Sequence, residues 1–178
     1  MNVLSICGSL RPASTTGRAL DIARAAAAEA GATASSASLD SLGLPFCDGR
    51  ADERSYGPSV RAWQDTVGAA DLLLIGSPEY HGSMTGALKN ALDLLGPDAL
   101  RGKMVGLLAT ARGDAGAMNT LNHLRHVSRW MNAWVLPHQV SIPRAGDAFG
   151  ADGPSRGGLR GDLEQLGREL VRFGGLLR

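Results

Sequence analysis

The chain has 178 residues, with 18 Lys and Arg against 17 Asp and Glu and a net charge of +1. That length suffices for one domain with a real core, and the near balance of charge gives no reason to expect nucleic acid or an anionic membrane as partner. Cys7 and Cys47 form no CxxC and no metal-type cluster, so they are expected as reduced thiols in a cytoplasmic protein.

The start, MNVLSICGSL, has no basic region and too short an apolar stretch for a signal peptide. No run approaches the ~20 apolar residues of a membrane span. Asn2 to Gly8 reads as a buried strand in which Cys7 is a small core residue. Thr16 to Ala30 is alanine-rich and helix-forming, and Gly31 stops it. Thr33 to Asp40 is a weak, polar strand, followed by a loop with Gly43 and Pro45. Val60 to Ala70 reads as a helix, and Asp71 to Ser77 as the clearest buried parallel strand. Gly86 to Leu95 is helical, with Leu88, Ala91, Leu92 and Leu95 on one face. Lys103 to Ala111 is another buried strand, and Ala115 to Met131 a helix with Met118, Leu121, Leu124 and Met131 inward. Ala133 to Ile142 is extended, but Pro137 allows only an edge strand or a bulge. A glycine-rich loop, 143–158, leads to a last amphipathic helix carrying Leu159, Leu163, Leu166, Leu170, Phe173 and Leu177.

This is five alternations of strand and helix, without repeat or linker, and it predicts a single domain over 1–178 with a parallel sheet between two helical layers. The second and fifth strands are the weakest. In the order 2-1-3-4-5 they are the two edges, so the pattern fits a flavodoxin-like α/β/α sandwich. Ligands of such sheets sit beyond the carboxyl ends of the strands at the switch point, here between the first and third strands.

The loop after the first strand, CGSLRPASTTG, carries Ser9, Arg11, Ser14, Thr15 and Thr16 just before a helix. A helix N-terminus binds phosphate through its free N–H groups and dipole, hydroxyls add donors, and Arg11 adds a bidentate cation. There is no GxxxxGK[ST] and no GxGxxG, so the loop suits a single monophosphate and not a nucleoside triphosphate or a dinucleotide. The same hydroxyls also read as a helix N-cap cluster. The third strand ends in Pro78, Glu79, Tyr80 and His81. The fourth ends in TARGDAGA, Thr110 to Ala117, whose glycines let backbone approach a ligand closely. Three loops thus converge, one for a phosphate and two for a flat ring. His123 and His126 lie three apart on a helix without a partner ligand nearby in sequence, and no GxSxG occurs. Trp63, Trp130 and Trp134 are too scattered for a nucleic-acid platform and read as packing or interface residues.

GSLRPAST followed by SPEYHGSMTGALKNALD resembles the NADPH-dependent FMN reductase family, which includes quinone and chromate reductases. The resemblance implies a flavodoxin-like, FMN-binding oxidoreductase that takes hydride from NADPH or NADH and passes the electrons to flavin, quinone or a similar small acceptor. It implies a homodimer or homotetramer as well. Carried onto this chain, Ser9, Arg11, Ser14 and Thr16 hold the FMN phosphate, with Thr15 in the same loop. Pro78, Glu79, Tyr80 and His81 border the isoalloxazine, Gly82 and Ser83 complete that loop, and Thr110, Ala111, Arg112 and Gly113 flank the other side. No side chain is required as a catalytic acid or base, because the flavin carries the chemistry, and no metal is implied. Arg112 and Arg144 could reach a nicotinamide cofactor's 2′-phosphate, and also read as ordinary surface arginines. Leu94 to Arg101, His123 to Trp130 and the loop from Pro143 are the interface segments expected. Thr16, His81 and Thr85 depart from the family's more common Asn, Asn and Pro. A flavodoxin-type electron carrier and a non-catalytic interaction protein are the rival readings. The first is disfavoured by the neutral charge, since such carriers are usually strongly acidic.

Overall fold

The computed structural model describes residues 1–50, 53–151 and 153–177. Strand and helix alternate as β1 Asn2–Cys7, α1 Thr15–Glu29, β2 Thr33–Ser38, α2 Pro58–Gly68, β3 Leu72–Pro78, α3 Gly86–Asp93, β4 Met104–Thr110, α4 Met118–Trp130, β5 Trp134–Ile142 and α5 Leu159–Gly174. The five strands form one sheet in the order β2-β1-β3-β4-β5, with every neighbouring pair parallel. Among the described residues, no helix is long and apolar enough to cross a membrane.

The side-chain period of two sends alternate strand residues to opposite faces. Leu4 and Ile6, Leu73 and Ile75, and Val105 and Leu107 pack under α2, α3 and α4 with Trp63, Leu88 and Leu121. Val3, Leu72, Leu74 and Leu108 pack under α1 and α5 with Leu20, Leu163 and Leu166. Each fully buried leucine contributes roughly 1.5–3 kcal/mol, so two apolar faces on β3 and β4 place these strands in the sheet centre. On the first face the buried Trp63 Nε1–H donates to Ala91 O at 2.8 Å and joins α2 to α3. On the second, α1 and α5 meet so closely that a β-carbon at Gly167 would lie 2.0 Å from Ala23 O.

The edges are as predicted. β2 is largely exposed and rich in serine, and β5 carries Pro137. Pro137 sits where the β4–β5 register shifts, between the pairs Val105–Val135 and Leu107–Gln139. Arg125 of α4 fills the gap in the ladder by donating to Leu136 O at 2.8 Å and Gln139 Oε1 at 2.8 Å.

Three expectations are corrected. Met118 is not inward: it opens α4 and is 47 % exposed, because the helix begins three residues later than its apolar pattern suggested. α5 ends at Gly174, and Leu177 lies exposed on a following 3-10 turn, since Gly174 and Gly175 let the chain tighten there. The 143–158 loop contains a short antiparallel hairpin, β6 Phe149–Gly150 and β7 Gly153–Pro154, with position 152 outside the described residues.

Candidate functional site

The strand ends singled out from sequence lie side by side. Cys7 is opposite Gly76, and Pro78 is opposite Thr110. The loops leaving β1, β3 and β4 therefore open on one sheet edge at the switch point.

In the first loop, Gly8 N–H donates to Gly76 O at 2.7 Å, which presses the chain against β3. Pro12 is followed by Ala13 at φ 49°, a left-handed residue within the turn. Ser14 caps α1, accepting Gly17 N–H at 3.0 Å, and its Oγ lies 3.9 Å from Cys7 Sγ. The buried Ser9 accepts Arg11 N–H at 3.3 Å, and the Arg11 side chain is exposed. The first amides of a helix have no intrahelical acceptor, so the N–H groups of Thr15 and Thr16 open toward the same edge. The hydroxyls of Thr15 and Thr16 have other tasks. Thr15 Oγ1 donates to Ala145 O at 2.9 Å. Thr16 is 1 % exposed and Thr110 3 %, and their hydroxyls meet at 2.8 Å.

The second loop is held from outside. Glu79 N–H donates to Thr110 O at 2.7 Å. Its carboxylate turns away from the sheet edge to α4, whose own cap residue Ala117 makes no side-chain bond. Glu79 Oε2 accepts Thr120 N–H at 3.1 Å and Thr120 Oγ1–H at 3.0 Å, and a negative charge at a helix start is further favoured by the dipole. Tyr80 and Ser83 exchange backbone bonds, Tyr80 N–H to Ser83 O at 2.9 Å and Ser83 N–H to Tyr80 O at 3.1 Å. Between them His81 and Gly82 have φ 52° and 78°, the two positive values of a type I′ hairpin turn. Asparagine is favoured at such a turn position, and histidine is also enriched among non-glycine residues with positive φ. Ser83 Oγ lies 2.9 Å from His123 Nδ1. The expected ring residues Pro78, Glu79, Tyr80 and His81 thus offer backbone and the half-exposed Tyr80 ring, while the Glu79 carboxylate is a tertiary helix cap.

Thr85 matters more than its sequence suggests. It caps α3 by accepting Leu88 N–H at 3.2 Å, and it donates to Gly8 O at 2.6 Å, joining the first loop to the second. A threonine directly before a helical pattern is an N-cap signal; its reach to Gly8 is not readable from spacing. In the third loop Ala111 is buried, whereas Arg112 and Gly113 are exposed. Arg144, the second candidate for a 2′-phosphate, forms an exposed ion pair with Asp114 at 3.2 Å. A recess of about 270 Å³ at the phosphate loop lies on its β2 side beside Ser36 and Ser38. In the two ring loops Tyr80, His81, Arg112 and Gly113 are exposed.

The family profile described as NADPH-dependent FMN reductase matches residues 1–147. The chain belongs to the NADPH-dependent FMN reductase family. An NAD(P)H-dependent FAD/FMN reductase of Geobacillus thermodenitrificans is 38 % identical over 97 residues, covering 54 % of this chain and 52 % of that protein. An NADPH azoreductase of Bacillus sp. is 38 % identical over 99 residues, covering 56 % and 55 %. The chain thus matches about half the length of these curated relatives. The flavoenzyme NAD(P)H:(acceptor) oxidoreductase FerB of Paracoccus denitrificans superposes with a TM-score of 0.79 at 20 % identity, over 98 % of this chain and 97 % of that one. A two-electron reduced flavodoxin of Megasphaera elsdenii superposes with a TM-score of 0.63 at 17 % identity, over 95 % and 98 %. These two likenesses concern the fold. The donors on this reductase-family chain fit the phosphate of a flavin mononucleotide: Ser9, Ser14, Arg11 and two helix-terminal amides lie in one loop, beside the loops that leave β3 and β4.

Proposed function

We propose that the chain works as one FMN-binding domain and catalyses the oxidation of NADPH or NADH with reduction of a flat aromatic acceptor such as a flavin, a quinone or an azo compound. The observation that carries this reading is the alignment, at one sheet edge, of a loop with Arg11 and hydroxyls but no carboxylate beside the loops that leave β3 and β4, in a chain of the FMN reductase family. Arg11, Ser9, Ser14 and the amides of Thr15 and Thr16 would hold the phosphate. The backbone of residues 78–83 and 110–113 would border the ring, with Tyr80 beside it. FMN, when bound, supplies the electron-pair acceptor for hydride from the nicotinamide. The protein's part is to bind, to orient and to leave one ring face open to two substrates in turn. Tyr80, 51 % exposed, and the exposed His81 stand at that open face.

A homodimer belongs to the same proposal. The groove between α3 and α4, about 580 Å³, is lined by Leu92, Asp93, His126, Trp130 and Met131, and Trp130 is 80 % exposed. Exposed aromatic surface of this kind favours burial by a partner. Leu94, Leu95 and Leu100 are buried within their own chain, so the Trp130 side of α4 is the better candidate of the interface segments. A cytoplasmic setting is consistent with the two free thiols.

The reading is tested with purified protein. Its absorbance spectrum should show bound flavin, or take it up on reconstitution with FMN, and anaerobic NADPH should bleach it. In calorimetric titration Arg11→Ala should weaken FMN roughly 10- to 100-fold, because a hydrogen bond to a charged group contributes ~1.5–3 kcal/mol, and should leave riboflavin unaffected. Equal affinity of wild type for FMN and riboflavin would remove the phosphate site. Flavin that binds but is not bleached by NADPH would favour the electron-carrier reading.

A further inference from the structure

Residues 143–150 leave β5 at the cofactor edge and touch both the phosphate loop and the loop after β4. Arg144 N–H donates to Gly113 O at 3.2 Å, and Ala145 N–H to Ala111 O at 2.9 Å. On the other side, Ala145 O accepts the Thr15 hydroxyl at 2.9 Å. One turn along α1, Arg18 donates to Gly150 O, and its guanidinium lies 4.8 Å from the centre of the Phe149 ring. Thr15 and Arg18 are three residues apart and share one helix face. Between their two contacts Ala148 is buried in the α1–α5 core. Arg144 has φ 46°, a left-handed backbone that a non-glycine residue holds only where its surroundings enforce it.

A threonine hydroxyl has one proton, and that of Thr15 goes to Ala145 O. It is therefore not a donor to an anion, although Thr15 lies in the phosphate loop. FMN carries its phosphate and its ring on one chain, so both ends bind together only when the two loops are held at the matching span. Fixing that span in advance lowers the ordering cost of binding and keeps the second contact effectively intramolecular.

We propose that residues 143–150 are a brace that sets the spacing between the phosphate loop and the loop after β4, and that the Thr15 hydroxyl and the Arg18 side chain position the flavin site without touching the flavin themselves. The proposal rests on the FMN site described above. It predicts that loosening the brace harms FMN, which needs both loops, more than riboflavin, which needs only the ring side.

The test uses the full chain freed of flavin, as wild type, Thr15→Val, Thr15→Ser, Arg18→Met and Arg11→Ala. FMN and riboflavin are titrated by flavin fluorescence, and amide exchange of residues 143–150 is followed by mass spectrometry without ligand. Thr15→Val and Arg18→Met should each weaken FMN about 3- to 10-fold, the range of one hydrogen bond, with riboflavin changed less than about 2-fold. Both should speed exchange over 143–150, Thr15→Ser should restore wild-type values, and Arg11→Ala should weaken FMN without changing that exchange. Arg18→Met carries the test should Thr15→Val fail to fold. FMN affinity unchanged in folded variants, even with a lowered melting temperature, overturns the proposal and leaves the segment a stabilising loop only. Weaker FMN with unchanged exchange in the free protein also overturns it, since the Thr15 hydroxyl or the Arg18 guanidinium would then touch the phosphate. Failure of wild type to bind FMN sinks the parent reading, and the brace with it.

Discussion

The two loops that face each other across the cofactor edge are held in opposite ways. Residues 8–14 are shaped mainly from within: Ser9 serves Arg11, Pro12 sets the turn, and Ser14 caps the helix that follows. Residues 79–85 are shaped from far away. Glu79 reaches Thr120, Ser83 reaches His123, and Thr85 reaches Gly8, at separations of 41, 40 and 77 residues. A phosphate is charged and compact, so a helix start with a few donors suffices for it. A flat ring offers little charge to grip. Its site must be a rigid rim, and rigidity in an exposed loop has to come from neighbouring elements.

Substitutions can break this contrast or sharpen it. The largest effect is expected at Glu79. Glu79→Ala removes two bonds to a carboxylate and uncaps α4, and should cost about 2–3 kcal/mol, measured by urea unfolding. A loss below about 0.5 kcal/mol would show that the second loop does not depend on α4. Thr85→Val comes next, at about 2 kcal/mol, because it uncaps α3 and strips Gly8 O of its buried donor. Since Thr85 touches both loops, its loss should also weaken FMN; affinity unchanged in calorimetry would show that the loops hold independently.

Ala13→Gly acts on the first loop alone. A left-handed L-residue costs roughly 1–2 kcal/mol, and glycine returns roughly 0.5–1 kcal/mol of that as lost chain entropy. The expected result is a gain of about 0.5–1 kcal/mol, read as a higher melting temperature; a loss would mean that Ala13 is not strained. The smallest effect is expected at His81, at a turn position suited to asparagine. His81→Asn should change stability by no more than about 0.5 kcal/mol and keep FMN bound, while shifting flavin potential or acceptor preference. Loss of hydride transfer with flavin still bound, seen in single-turnover bleaching by NADPH, would give the His81 ring a direct role.

Much of the fold was legible because its signals are local. The apolar runs of β3 and β4, the serine-rich β2 and Pro137 in β5 each state how buried a strand is, and burial ranks strands from centre to edge. The phosphate loop was legible for the same reason: hydroxyls before a helix advertise its N-terminus. What periodicity missed were the ends of elements. Met118 and Leu177 continue the apolar rhythm, yet lie where a helix is only opening or has already tightened, and a hairpin as short as Phe149–Pro154 leaves no period to read.

The site divides along the same line. The amino-acid order by itself determined that donors would gather at the ends of β1, β3 and β4, because strand direction and crossover handedness bring those ends to one edge. Only the tertiary structure decided what each side chain does there. The carboxylate of Glu79 caps a helix, the hydroxyls of Thr15 and Thr16 tie loops together, and Arg144 turns to Asp114. A hydrogen bond is chosen by which partner lies within about 3 Å, and for these residues that partner is supplied by another part of the fold.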